Sequence, residues 1–263
     1  MNTILDKIIA NNREVVNFRK EKLPLSELKK RIDYNYHPNS LCKALLSGRT
    51  SGIIAEFKRK SPSKGIINDK LSAETVTKGY VENGASGLSV LTEEKFFGGS
   101  PEDLTAARMA NPLTPILRKD FMVDEYQIYE SRMLKADVIL LIAAVLDKET
   151  ISRFTVLAHE LGMEVLLELH EERELEKIDD TVDLIGINNR DLKDFSVSID
   201  RSLELIKKLP EKAVKISESG LSSPESILHL MYNGFKGFLI GENFMKAKNP
   251  GKAFNEFLLK LTL

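Results

Sequence analysis

Hydrophobic positions along the chain fall into two alternating kinds of segment. Short runs rich in aliphatic and β-branched residues read as strands: IIAEFK (53–58), GLSVLT (87–92), PILRKD (115–120), VILLIA (138–143), EVLLEL (164–169), LIGINN (184–189), AVKISES (213–219) and FLIG (238–241). Between them lie amphipathic stretches such as ETISRFTVLAHELGM (149–163) and SPESILHLMYNG (223–234). The latter has Ser223 and Pro224 at its start and Gly234 just past its end, the asymmetry expected of a helix. Short strands, each followed by a helix, predict a parallel sheet. Eight such units are the number that closes a (β/α)8 TIM barrel, an α/β fold. An open doubly wound sheet would carry a glycine-rich turn after its first strand, where this chain has KRKSPSKG. Ahead of the strands, residues 3–20 carry Ile4, Leu5, Ile8, Ile9, Val15, Val16 and Phe18 at roughly helical spacing. Pro24 interrupts, and Ser26 is expected to open a short second helix over LSELKKRI. The expectation is an N-terminal helical extension, residues 1–45, docked by its apolar face on a single barrel domain, residues 46–263.

Composition narrows the function classes. With 263 residues and 42% hydrophobic content the chain can bury one large core. Its 38 basic and 39 acidic residues leave no concentrated basic face for nucleic acid, though a local pocket for a small anion remains open. The longest apolar run, VILLIAAVL (138–146), is too short to cross a bilayer. The N-terminus is broken by Asp6, Lys7 and Arg13 and does not read as a signal peptide. The single cysteine, Cys42, excludes an internal disulfide framework, fits a cytoplasmic protein and reads as packing. A monomer is expected.

In a barrel the chemistry sits where the strands end. IIAEFKRKSPSKG (53–65) places Glu56 and Lys58 two residues apart, hence on one face of a strand, with Ala55 and Phe57 on the other. A carboxylate and an ammonium there are either a structural ion pair or working groups. Four later strand ends add polar groups: Lys119, Glu168, Asn188 with Arg190, and Glu218 with Ser219. Phe97 and Phe121 follow the second and third strands, and the fourth ends in Ile142 and Ala143. Two lysines, three glutamates, an asparagine and an arginine walled by phenylalanines suit proton transfers on a polar, partly aromatic ligand. SESG (217–220) and IGEN (240–243) bring Gly220 and Gly241 to the two loops where barrels often bind phosphate, although Glu242 sets a carboxylate beside that site. His37, His159 and His229 fall in loop or helical stretches, and His170, two beyond Glu168, shares its face. No His, Cys or carboxylate spacing resembles a metal set.

Taken together, IIAEFKRKSPSKG, LSVLTEEKFFGGS, LRKDFMVDEYQIYE, ILLIAA, GMEVLLELH, IGINNRDL, ISESG and FLIGENFM resemble the indole-3-glycerol-phosphate synthase family over residues 53–245, and ILDKII with PLSELKKR resembles its N-terminal extension. The resemblance implies ring closure, decarboxylation and dehydration of 1-(2-carboxyphenylamino)-1-deoxyribulose 5-phosphate to indole-3-glycerol phosphate, in tryptophan biosynthesis. It implies catalytic roles for Glu56, Lys58, Lys119, Glu168, Asn188 and Glu218, with Ser219 lining the site. Lys60, Ser61 and the backbone at Gly220, Ile240, Gly241 and Glu242 would lie near the phosphate end, Phe97, Phe121 and Ile142 along the anthranilate ring, and Arg190 in support. No cofactor is expected, because the attacked ring is itself the electron sink for decarboxylation. Glu242 stands where some relatives carry serine. Lys135 stands where glycine is common and is expected within the helix after the third strand. Rival readings are a Schiff-base aldolase, a phosphosugar isomerase and a phosphate-ligand-binding barrel without activity.

Overall fold

The computed structural model describes residues 3–48, 50–191 and 195–261; Leu192 of the INNRDL stretch, like Met1 and Asn2, lies outside them. Its strands are β1 (Ile53–Phe57), β2 (Gly87–Leu91), β3 (Ile116–Lys119), β4 (Val138–Ile142), β5 (Glu164–Leu169), β6 (Leu184–Asn188), β7 (Val214–Glu218) and β8 (Gly237–Ile240). Each pairs in parallel with its sequence neighbours, and β1 pairs with β8, so the sheet closes into a barrel. Helices α1 (Ile4–Lys22), α2 (Leu25–Lys30) and α3 (Leu41–Leu46) precede β1. Around the barrel run α4 (Ala73–Glu82), α5 (Pro101–Ala110), α6 (Glu125–Met133), α7 (Lys148–Glu160), α8 (Asp200–Leu205), α9 (Pro224–Tyr232), α10 (Glu242–Met245) and α11 (Pro250–Leu261). Among the described helices, none is long and apolar enough to cross a membrane.

The alternation of each strand divides the core in two. Ile53, Ala55 and Phe57 of β1 pack outward under the helices, whereas Ile54 joins Leu117, Val138, Leu140, Ile142, Leu166, Leu184, Val214, Ile216 and Leu239 inside the barrel. Leu41 and Leu45 of α3 belong to that inner cluster and close the N-terminal end of the barrel. The Glu164 carboxylate at the start of β5 accepts the Leu41 and Cys42 N–H groups at 2.8 and 3.1 Å, which caps α3 where it docks. Cys42 is half-buried on α3, and burial pushes its thiol up, as suits a packing residue.

Three local expectations are corrected. The second helix opens at Pro24, not Ser26: Pro24 stands at its N-cap with no side-chain hydrogen bond. No α-helix follows β5; a 3₁₀ turn, Glu172–Lys177, takes its place, and the Glu174 carboxylate there accepts the His170 and Glu171 N–H groups at 2.6 and 3.2 Å. Lys135 lies past the end of α6, not within it, at φ 60°. That left-handed position beyond a helix end is the one glycine fills without steric cost. Here Lys135 takes it with its Nζ 2.8 Å from Asp33.

One outward group on β3 has no counterpart in the sequence reading. Arg118 is wholly buried between barrel and helices. Its guanidinium donates to Thr92 Oγ1 at 3.0 Å, Asp120 Oδ2 at 3.0 Å, Glu130 Oε2 at 2.6 Å, the Gln127 carbonyl at 3.2 Å and Ser131 Oγ at 3.2 Å. Glu130 also meets Arg19 of α1 at 3.1 Å, and Asn12 of α1 donates to the Phe121 carbonyl. The cluster therefore ties the N-terminal helix to the exit of β3. Removing the guanidinium leaves the buried Asp120 carboxylate without its countercharge and Glu130 with Arg19 alone, a loss of about 3–5 kcal/mol. Arg118→Leu should lower the unfolding free energy measured in urea accordingly, and a value within about 0.5 kcal/mol of the parent would refute this role for the cluster.

Candidate active site

At the C-terminal ends of the strands the inner positions turn polar and enclose a cavity of about 380 Å³. Strand register sets the neighbours: Glu56 lies beside Ser89, Leu91 beside Lys119, Ile142 beside Glu168 and Asn188 beside Glu218. Lys119 reaches across the mouth, and its Nζ donates to Glu168 Oε2 at 2.6 Å and to Glu218 Oε2 at 2.8 Å. Just past the end of β1, Lys58 has its Nζ 2.6 Å from Glu56 Oε1, and Ser89 Oγ of β2 is 3.4 Å from Glu56 Oε2. Asn188 Nδ2 donates to Glu168 Oε1 at 3.1 Å, and its Oδ1 accepts the Arg190 N–H at 3.0 Å.

These contacts divide the charges. Burial alone would pull the Lys119 ammonium down, but the carboxylates of Glu168, Glu218 and Glu56 more than offset it, and its pKa is raised. Burial presses both glutamates upward. For Glu168 the charges of Lys119 and His170 prevail and hold it well below the usual carboxylate range. Glu218 is pushed up to about 7, by burial against the Lys119 charge and with added repulsion from Glu168. The buried Glu218 Oε1 has no hydrogen-bond partner, which agrees with that direction. The pair grips one ammonium and holds one proton near neutrality.

Two glycines make this packing possible. A Cβ on Gly186 of β6 would collide with Glu218 Oε1, and one on Gly241 would stand 2.6 Å from Glu56 Oε1 and 2.8 Å from Glu56 Cβ. Gly241 therefore first serves close packing against Glu56. Gly220 has φ 70° and a Cβ there would strike Val197, while Ser219 is also left-handed at φ 68°. Its turn is thus fixed by backbone conformation before any ligand is considered. Asn189, buried behind it, donates to the Ser219 carbonyl at 3.1 Å and to Ser217 Oγ at 2.9 Å.

Glu56, Lys58, Ser61, Phe97, Lys119, Phe121, Ile142, Glu168, Asn188, Arg190, Glu218, Ser219, Gly220, Ile240, Gly241 and Glu242 all border the one cavity. The Phe97 and Phe121 rings stand 5.8 Å apart between centroids. Glu242 Oε2 lies 3.7 Å from Arg190 Nη2, so its carboxylate faces the site rather than turning wholly to solvent. Lys60 stands apart from the rest: its Nζ donates to the Lys95 carbonyl at 2.5 Å, outside the cavity lining. The sequence reading missed Ile4, Leu5 and Ile8 of α1, which reach the same cavity. It also missed Gly186 and Asn189; a glycine within an apolar strand run was the one available signal for the former. His159 is away from the mouth, 2.8 Å from Asp183. Among the described residues no cluster of His, Cys, Asp and Glu is arranged to hold a metal.

Comparison with known proteins agrees with this geometry. A family model described as Indole-3-glycerol phosphate synthase matches residues 5–257. The chain is 48% identical to the indole-3-glycerol phosphate synthase of Bacteroides thetaiotaomicron over 260 residues, covering 98% of each chain. It is 44% identical to that of Salinibacter ruber over 255 residues, covering 96% of this chain and 94% of the relative. Among solved structures, 3-hexulose-6-phosphate synthase from Salmonella typhimurium superposes with a TM-score of 0.60 at 15% identity, covering 80% of this chain and 98% of that one. At that identity the likeness concerns the barrel fold alone.

Proposed function

The chain belongs to the indole-3-glycerol phosphate synthase family, and from that premise we propose how its barrel mouth performs the reaction. The enzyme is a decarboxylating lyase of tryptophan biosynthesis. It converts 1-(2-carboxyphenylamino)-1-deoxyribulose 5-phosphate to indole-3-glycerol phosphate with release of carbon dioxide and water.

The observation that carries the assignment of roles is the Lys119 ammonium held between two carboxylates, 2.6 Å from Glu168 and 2.8 Å from Glu218. Ring closure turns the substrate ketone into an alkoxide as the ring carbon bearing the carboxylate attacks it. An alkoxide is a far stronger base than an amine, so Lys119 remains a competent acid toward it even with its pKa raised. Its charge also stabilises the alkoxide as it develops. Loss of carbon dioxide then restores the aromatic ring. Dehydration needs an acid for the departing hydroxyl and a base for the ring N–H proton. Glu218, poised near neutrality, fits proton exchange at this stage, beside Glu56, Lys58 and Glu168 as the other candidates. Asn188 holds Glu168, while Phe97, Phe121 and Ile142 flank the aromatic ring. A Schiff-base aldolase is disfavoured because Lys119 would need a free amine, and its two carboxylates stabilise the ammonium.

The phosphate we assign to the backbone of Gly220, Ile240, Gly241 and Glu242, at the two loops where barrels hold phosphate, with Ser61 of the loop after β1 and Arg190 of the loop after β6 on the same cavity. Lys60 would join only after leaving the Lys95 carbonyl. We further read residues 1–45 as a helical extension on a catalytic barrel of residues 46–263, and the enzyme as a cytoplasmic monomer acting on a phosphorylated small molecule. Sedimentation at twice the mass of 29.6 kDa would exclude the monomer.

Lys119→Ala should lower turnover by a factor on the order of 10²–10⁴ with the fold intact, followed by indoleglycerol phosphate fluorescence. Turnover within about threefold of the parent would rule out the acid role. Inorganic phosphate at tens of millimolar, at constant ionic strength, is expected to compete with low concentrations of substrate. An unaltered rate would show the phosphate assignment to be wrong.

A further inference from the structure

Glu168 and Glu218 both give Oε2 to the same ammonium, yet their second oxygens have opposite surroundings. Glu218 Oε1 has no hydrogen-bond partner. Glu168 Oε1 accepts from Asn188 Nδ2 at 3.1 Å and lies 3.1 Å from His170 Nε2. The His170 ring borders the cavity and is 4% exposed. Its Nε2 is close to Glu168 without the alignment of a hydrogen bond, and Nδ1 has no hydrogen-bond partner either. A buried ring with unpaired nitrogens is costly, and a hydrophobic side chain of its size would avoid that cost. What distinguishes His170 from such a side chain is the charge it brings next to Glu168.

We propose that His170 is a positioning residue for the reaction: its imidazolium keeps Glu168 ionised and in place, and so leaves the shared proton of the glutamate pair on Glu218. The proposal rests on the reading of Lys119, Glu168 and Glu218 as the reacting cluster. Four charged groups face or bracket the ring. Glu168 is on its own strand, Glu218 is on β7, Glu174 of the 3₁₀ turn binds its backbone N–H at 2.6 Å, and Lys119 of β3 holds the far oxygen of Glu168. Burial alone would favour neutral imidazole, but the three carboxylates more than offset it and raise its pKa. The row His170, Glu168, Lys119, Glu218 then has four proton-holding positions and, near neutrality, one proton each on His170 and Lys119 and a third that Glu218 exchanges. With His170 charged, that row is neutral when Glu218 is ionised and gains one positive charge when Glu218 holds its proton.

The test compares the pH dependence of kcat/KM for the parent, His170→Gln and His170→Ala. Both variants remove the positive charge, so the limb titrated by the glutamate pair should move to higher pH, on the order of one unit. Glutamine places an amide N–H where the imidazole Nε2 lies and should keep plateau turnover within about threefold. Alanine leaves Glu168 to Asn188 and Lys119 alone and should lose about tenfold. Limbs at the parental pH in both variants overturn the proposal, whatever their plateau rates. If His170→Ala does not fold, the glutamine variant decides alone. NMR titration of the His170 ring in the free enzyme supplies a readout independent of turnover. Its pKa should fall in Glu168→Gln, and an unmoved titration also overturns the proposal. Parental turnover in Lys119→Ala would instead refute the cluster reading on which the proposal stands.

Discussion

The buried ion triad of Lys119, Glu168 and Glu218 is the constraint that the mouth of this barrel is built around. Taking three charges out of water costs several kcal/mol per ion, and their attraction offsets this only when geometry is close and the remaining polar atoms find partners. The three come from β3, β5 and β7, which lie alternately around the barrel. No local stretch of chain can bring them together. Closure of the sheet does, because inner positions at the same height then face one another across the axis. The apolar layers below, from Ile54 to Leu239, keep that height fixed.

The same strand that presents Lys119 inward presents Arg118 outward, and the two cations have different uses. Arg118 is saturated with hydrogen bonds to Thr92, Asp120, Glu130, Gln127 and Ser131 and has no route to a ligand. Lys119 touches the cavity and holds two carboxylates whose proton affinities differ. A planar guanidinium with five donors suits a permanent junction, and a flexible ammonium suits a site where partners change. The junction also reaches α1, through Glu130 to Arg19 and through Asp120 and Phe121 to Asn12, so Ile4, Leu5 and Ile8 meet the cavity from a helix anchored behind β3.

Small residues do as much as charged ones to shape the site. Gly186 leaves the space that Glu218 fills, and Gly241 the space that Glu56 fills. Ser219 and Gly220 turn left-handed together after β7, and Asn189 secures the turn by binding the Ser219 carbonyl. Strain in a non-glycine residue at such a place is tolerated where the surroundings fix it, a frequent property of functional loops. Lys135 shows the same backbone conformation far from the mouth, steadied by Asp33 at the end of α6.

By itself the sequence determined the strands, their inward and outward faces, the number that closes the barrel and the polar residues at its mouth. These are consequences of period-two alternation and of where each apolar run stops, which are local properties of the chain. The spacing of Glu56 and Lys58 on one strand was enough to place them side by side. Tertiary structure alone decided which carboxylate shares which cation, because Lys119 meets Glu168 and Glu218 only across the closed barrel. It decided that Lys60 turns to the Lys95 carbonyl, that Glu242 approaches Arg190, and that a 3₁₀ turn replaces the helix after β5. It also decided the unequal affinities of two glutamates that look alike in sequence. Burial, the Asn188 contact on Glu168 and the space left by a glycine on the adjacent strand set those affinities, and of the groups involved only His170 is a chain neighbour of either glutamate.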